Sequence, residues 1–322
     1  MGKQDFPRCT GGSKRGAKSM MERASEVFHF EDAIKGTGLM PLDIPAELIP
    51  PAPKPRAKAG TKTAPGTKRG AVATAATAAT DGTARAGDWN GPIQQLDREA
   101  MAEAGYLVPG GPINGVGEEF RIIKRELLAR IRGNRQQAPI PNGNVILVTS
   151  AHPNDGKTYC AVNLAVSLAA ESDIEVLLVD ADFAKPNIAR ALGLKPGKGL
   201  MDVLADPSFA VEDLVIRTDV PSLCVLPAGE SSHLDAEYLA SSRTDALIAS
   251  LVEGRPERLV IFDSPPLLAA SPAAVLAAHV GQTVLVVRAD RTTETALRDA
   301  AGLLNGCPNI QLLLNGVKFS AS

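Results

Sequence analysis

A glycine, a lysine and a threonine fall in line at Gly156-Lys157-Thr158, closing the stretch Ser150-Ala151-His152-Pro153-Asn154-Asp155. Those types in that order suit a phosphate chain. A tight loop aims successive backbone N–H groups inward and the following helix adds the positive end of its dipole. Lys157 then reaches the terminal phosphates, and the Thr158 hydroxyl can ligate Mg²⁺. Ala151 stands where a glycine usually opens the pattern, which a methyl group tolerates if the backbone there avoids positive φ. The candidate phosphate- and nucleotide-contacting set is Ala151, Asn154, Asp155, Gly156, Lys157, Thr158 and Tyr159. Further along, Val176-Leu177-Leu178-Val179 runs into Asp180-Ala181-Asp182, and Leu259-Val260-Ile261-Phe262 runs into Asp263. Carboxylates placed there can hold Mg²⁺ directly or through water, orient a nucleophile, or accept its proton. Such residues also serve as helix caps and turn formers.

These groups need strands to carry them to one edge. Val145 to Val148 is an apolar run of buried-strand type, and Tyr159 to Ala170 repeats its apolar residues at helical spacing. Strands are expected at 176–180, 222–227, 259–263, 283–287 and 310–314, with helices at 242–251, 273–279 and 293–304. Val-, Ile- and Leu-rich strands alternating with helices predict an α/β fold, a doubly wound and mostly parallel sheet of the P-loop NTPase type. Ligands of such sheets bind beyond the carboxyl ends of the strands, where Asp180, Asp182 and Asp263 lie.

The 322 residues divide by composition. Residues 1–36 form a polar tail with a short amphipathic helix at 19–28, free to dock elsewhere or to pack on its own domain. Residues 37–104 form a Pro-, Ala-, Thr- and Lys-rich linker, whose basic character suits either plain solvation or an anionic membrane surface. Residues 105–322 form the P-loop domain. Within it Val116, Phe120, Ile123, Leu127 and Ile131 make one apolar helix stripe. Glu118, Arg121, Lys124 and Arg125 lie on or beside the other face, spaced either for ion pairs or for a solvated surface.

A net charge of −2 implies no global nucleic-acid field, and no nucleic-acid partner is expected. Cys9, Cys160, Cys224 and Cys307 lack paired spacing, and the four histidines are too scattered for a ligand set. No apolar run reaches the ~20 residues that cross a bilayer, and residues 1–6 read neither as a signal peptide nor as a myristoylation site. A cytoplasmic protein is expected, peripheral at the inner membrane through a partner.

Three blocks, Thr149 to Leu164, Val176 to Pro186 and Val260 to Pro266, together resemble the Walker A, A′ and B motifs of the bacterial tyrosine kinase family, especially the autokinases of exopolysaccharide and exosortase systems within the MinD/ParA-like NTPases. The resemblance implies ATP and Mg²⁺ as cofactors, with Lys157 and Thr158 on phosphate and metal. It gives Asp180 and Asp263 to the metal, Asp182 to the attacking hydroxyl as base or orienter, and Asn315 to the adenine. It further implies an integral-membrane polysaccharide chain-length determinant as partner, and a homo-oligomer joined through Glu118, Arg121 and Lys124. The sequence departs from the family at several points. Lys124 replaces an arginine, Ala184 stands where Arg is common with Lys185 as the nearest cation, and the C-terminal tyrosine cluster is not found. Tail autophosphorylation is therefore not expected, and the only tyrosines are Tyr106, Tyr159 and Tyr238. Two other functions fit the loop: a partitioning-type ATPase, disfavoured by His152 where a second lysine is usual, and an ATP-binding regulatory subunit without kinase activity.

Overall fold

The computed structural model describes residues 89–112, 114–133, 138–307 and 309–317. The expected tail helix at 19–28 and most of the linker lie outside the described residues. Eight strands form one sheet: β1 (Ile93–Gln94), β2 (Val145–Ser150), β3 (Glu175–Asp180), β4 (Ile216–Thr218), β5 (Leu223–Leu226), β6 (Arg258–Asp263), β7 (Gln282–Arg288) and β8 (Ile310–Asn315). Their order is β1-β4-β5-β3-β6-β2-β7-β8, parallel throughout except between β4 and β5. β2, β3 and β6 are buried along their whole length, which their unbroken apolar runs require once both faces are covered.

Ten helices cover the sheet among the described residues: α1 (Arg98–Glu103), α2 (Gly115–Arg132), α3 (Lys157–Ala169), α4 (Ile188–Ala191), α5 (Leu200–Ala205), α6 (Val211–Leu214), α7 (Asp235–Leu239), α8 (Ser242–Val252), α9 (Pro272–Ala277) and α10 (Glu294–Gly302). α1, α2, α3 and α4 share one core with Ile146, Val148, Leu178 and Ile261. α5, α7, α8, α9 and α10 close the other, around Leu147, Leu177, Val179 and Phe262. The longer helices and strands sit within a few residues of their expected positions. β1, β4 and the one-turn helices were not anticipated, because segments this short carry too little periodicity to register.

The packed fold starts upstream of Gly105. Residues 89–104, assigned by composition to the linker, include Trp89, Leu96 and Met101, all buried, and β1 pairs with β4 at the sheet edge. The Trp89 indole Nε1–H donates to Glu175 Oε1 at 2.7 Å, while the Arg258 guanidinium lies 4.2 Å from the ring centroid and pairs with the same carboxylate at 3.3 Å. A buried ion pair tolerates desolvation only when its remaining hydrogen bonds are supplied, and Trp89 supplies one of them.

On α2, Glu118 and Arg121 pair with each other at 2.8 Å on the surface. Lys124 differs: it is buried, donates to the Ser167 carbonyl at 2.8 Å and pairs with Glu171 at 2.6 Å. Its charge is therefore spent within its own domain, on the C-terminal end of α3, where a cation is favoured by the helix dipole. Lys124→Ala is expected to lower domain stability by about 1–2 kcal/mol, since a carbonyl and a carboxylate both lose their donor. Arg121→Glu, at an exposed position, should leave stability nearly unchanged. Paired denaturant titrations check this, and an unaltered midpoint for Lys124→Ala would return that residue to the set available for subunit contacts.

Candidate active site

Sheet register brings the chemistry together. Asp263 at the end of β6 is the register partner of Asp180 at the end of β3 and of Val148 in β2, just before the loop. The loop is fixed from below: Leu267 N–H donates to the Ser150 carbonyl at 2.9 Å, Leu268 N–H to that of Ala151 at 3.2 Å, and the Thr149 hydroxyl to that of Pro265 at 3.1 Å. Ala151 is buried and lies outside the positive-φ residues, so its methyl group fits where glycine is usual. Asn154 and Gly156 carry the left-handed turns, at φ 67° and 98°. Gly156 cannot be replaced without displacing Asn315, whose side-chain nitrogen occupies the space a Cβ would need.

Each predicted residue has a definite place. Asp155 is fully buried and its Oδ2 accepts the His152 N–H at 2.9 Å, which makes the side chain an internal strut of the loop. Asn315 donates to the Asp155 carbonyl at 2.9 Å and accepts from Gly316 N–H, which sets it against the loop with one amide hydrogen uncommitted. Lys157 Nζ is 2.7 Å from Asp182 Oδ2, an ion pair almost out of contact with solvent. Asp182 Oδ1 also accepts the Lys185 N–H at 3.2 Å.

The two strand-end aspartates differ. Asp180 Oδ2 accepts N–H groups of Asn187 and Ile188, both at 2.9 Å, and Oδ1 that of Asp182 at 3.3 Å. Burial raises its pKa to about 6, against the pull of those donors. Asp180 thus caps α4, with little capacity left for a metal at bonding distance. Asp263 is fully buried, and among the described residues neither of its carboxylate oxygens has a partner in hydrogen-bond geometry. Burial pushes its pKa up to about 7, with the Lys157 charge and the Thr158 hydroxyl acting the other way and Asp180 and Asp182 adding to the rise. A buried carboxylate with two orphaned oxygens, beside a threonine hydroxyl, fits a hard divalent cation such as Mg²⁺, which takes few protein ligands and completes its octahedron with water and phosphate. Among the described residues no cluster of three His, Cys, Asp or Glu side chains would hold a metal unaided.

Above the loop opens a cavity of about 410 Å³, lined by Pro153, Asn154, Lys157, Thr158, Asp182 and Lys185 and continuing past Pro265 and Pro266 to Tyr106 and Tyr159. The Tyr106 and Tyr159 rings lie 5.4 Å apart at 34°. Tyr106 has its pKa raised by burial and by the Asp263 charge. Two residues at this site carried no sequence signal of function. Tyr106 reaches it only through tertiary packing. Arg288, whose guanidinium donates to the Asn154 carbonyl at 3.3 Å, ends β7, so the strand-end rule that marks Asp180 and Asp263 could have found it.

The AAA domain family matches residues 143–315, which take in the loop, both strand-end aspartates and Asn315. Tyrosine-protein kinase YwqD of Bacillus subtilis is 34% identical over 205 residues, covering 63% of this chain and 85% of YwqD. EpsB of Ralstonia nicotianae is 32% identical over 197 residues, 61% of this chain but only 25% of EpsB, so the chain spans a quarter of that longer relative. The kinase domain of Escherichia coli tyrosine kinase ETK superposes with a TM-score of 0.59 at 27% identity, over 66% of this chain and 80% of that domain. With its loop, its paired strand ends and these relatives, the chain belongs to the bacterial tyrosine-protein kinase family.

Proposed function

We propose that the chain is an ATP-dependent protein-tyrosine kinase that regulates exopolysaccharide or capsule biosynthesis and export. The observation that carries this is the Lys157–Asp182 pair beside the orphaned oxygens of Asp263. A phosphoryl-transfer site needs a cation for the terminal phosphates, a carboxylate to receive the acceptor's proton and an anionic seat for the metal. When bound, Mg²⁺ would neutralise charge on the β- and γ-phosphates. On arrival of the nucleotide, Lys157 exchanges Asp182 for phosphate oxygens. That leaves Asp182 next to the cavity with a lone pair for a tyrosine hydroxyl proton. Thr158 and Asp263 would hold the metal, the loop N–H groups of Asn154 to Gly156 would cradle the phosphates, and Asn315, against the loop, is the residue proposed for the adenine.

EpsB and CapB are named among the relatives, which supports a polysaccharide locus, and an integral-membrane chain-length determinant is the partner proposed. Among the described residues no helix is long and apolar enough to cross a membrane, in keeping with attachment through such a partner. A subunit interface through Glu118 and Arg121 stays part of this reading, without Lys124. A second reading, an ATP-binding regulatory or partitioning-type ATPase without tyrosine kinase activity, draws on Asp180, whose oxygens are taken by backbone donors and not left for catalysis. Labelled Mg·ATP supplied to the full chain, with and without the membrane protein and a Glu-Tyr copolymer, separates them. Phosphotyrosine on any protein supports the kinase, and phosphate release alone supports the ATPase.

A further inference from the structure

We propose that Arg288 and Asn315 are positioning residues for the phosphate loop, a clamp that aims the N–H groups of Asp155 and Gly156 at the phosphates before nucleotide arrives. This rests on the phosphate-loop reading that the kinase and the ATPase share, and it assigns a role within that site. Arg288 ends β7, Asn315 ends β8, and the two are register partners. From there they reach consecutive peptides of the loop. Arg288 donates to the Asn154 carbonyl at 3.3 Å, and Asn315 Nδ2 donates to the Asp155 carbonyl at 2.9 Å.

A trans peptide is planar, and its C=O and N–H point opposite ways. Holding the Asn154 carbonyl therefore fixes the Asp155 N–H in the opposite sense, and holding the Asp155 carbonyl does the same for the Gly156 N–H. Among the described residues no backbone carbonyl takes either N–H. Two neighbouring amides left open, in a loop that turns left-handed at Asn154 and Gly156 on the wall of the cavity, make the kind of concavity that receives anions. The loop does not hold this shape by itself. Asn154 sits at φ 67°, which a residue with a Cβ keeps only when its surroundings impose it. Gly156 avoids that cost, and the room it leaves is filled by the Asn315 side-chain nitrogen.

Both donors are braced in turn. Arg288 Nε donates to Asp290 Oδ1 at 3.0 Å, its backbone N–H donates to the Thr292 hydroxyl at 2.9 Å, and Gly316 lies against the guanidinium. Asn315 accepts the Gly316 N–H at 2.8 Å on its side chain and the Ala289 N–H at 3.0 Å on its backbone. A loop fixed in this way has little freedom left to lose when a ligand binds, which strengthens binding without adding a contact.

The test measures the full chain's affinity for Mg·ATP by calorimetry and for inorganic tripolyphosphate, which has the phosphates without a base, by competition. Each variant is titrated well below its own ligand-free melting temperature, so that loss of fold does not pass for loss of binding. Arg288→Met and Asn315→Leu are each expected to weaken both ligands by the same factor, about three- to tenfold, the worth of one hydrogen bond. Arg288→Lys, which keeps a donor, should recover part of the loss. Loss confined to ATP would make the two residues base contacts and overturn the proposal, as would variants that bind both ligands like wild type. Loss in Arg288→Met alone, abolished by salt, would leave the guanidinium a plain charge near the phosphates and overturn it too. A wild type that binds neither ligand would remove the phosphate-loop reading and the proposal with it.

Discussion

Asp182→Asn is expected to lower the rate of phosphoryl transfer by about 10²- to 10⁴-fold while leaving Mg·ATP affinity within a few-fold of wild type. The amide keeps the shape of the carboxylate and can still accept the Lys185 N–H, but it cannot take a proton from an attacking hydroxyl. Lys157→Ala should do the opposite in binding, weakening Mg·ATP by about ten- to a hundredfold, roughly 1.4–2.8 kcal/mol. It removes the cation for the terminal phosphates and strands Asp182, which is 4% exposed, without its 2.7 Å partner. The two residues touch, so their effects should not add, and the double variant should recover part of the stability that Lys157→Ala loses. Calorimetry for binding and a single-turnover assay for transfer separate the roles. Equal loss of binding in both single variants would assign Asp182 to the metal.

Asp263→Asn should abolish Mg²⁺-dependent turnover and yet make the ligand-free protein more stable. A carboxyl group whose folded pKa is about 7, above its unfolded value, holds its proton more tightly in the native state. The native protein therefore loses stability as pH rises from about 4 to about 7, and the cost is fully developed above that. At about 1.4 kcal/mol per unit the penalty is on the order of a few kcal/mol. The neutral amide escapes it, so the gain in melting temperature should be largest at pH 8, shrink as pH falls and vanish near pH 4. Thermal melts across pH check the sign. Mg·ATP should then stabilise wild type more than the variant, because the wild-type carboxylate gains a partner that the amide cannot use. A variant less stable than wild type at pH 8 would mean that Asp263 already has a compensating charge in the free protein.

The strands and long helices were legible because buried runs and 3.6-residue periods are local, and the P-loop because its glycine, lysine and threonine are consecutive. Asp180 and Asp263 were legible as strand ends, but not as different from each other. What separates them is whether a following turn offers N–H groups: Asn187 and Ile188 fold back on Asp180, while no backbone N–H among the described residues bonds the Asp263 carboxylate. Lys124 reads as one more charge on an exposed face, since its partners Ser167 and Glu171 come from α3 and the turn that follows it. Tyr106 and Trp89 were missed for a related reason. Each lies next to Gly-rich chain that reads as linker, and its burial depends on contacts more than fifty residues away, with Tyr159 against Tyr106 and Glu175 against Trp89.

Trp89 is the sole tryptophan of the sequence, and it sits 3% exposed under a guanidinium at the point where the upstream segment enters the fold. Its intrinsic fluorescence therefore reports one event without labelling, the seating or release of the N-terminal strap that leads through β1 and α1 to Tyr106. Release would shift the emission to the red as the indole meets water, and would relieve any quenching by Arg258 and Glu175. A titration with Mg·ATP or with a membrane partner can thus be followed optically at the far end of the sheet from the phosphates. A change in emission would mean that the anchoring of the upstream segment is coupled to occupancy of the loop.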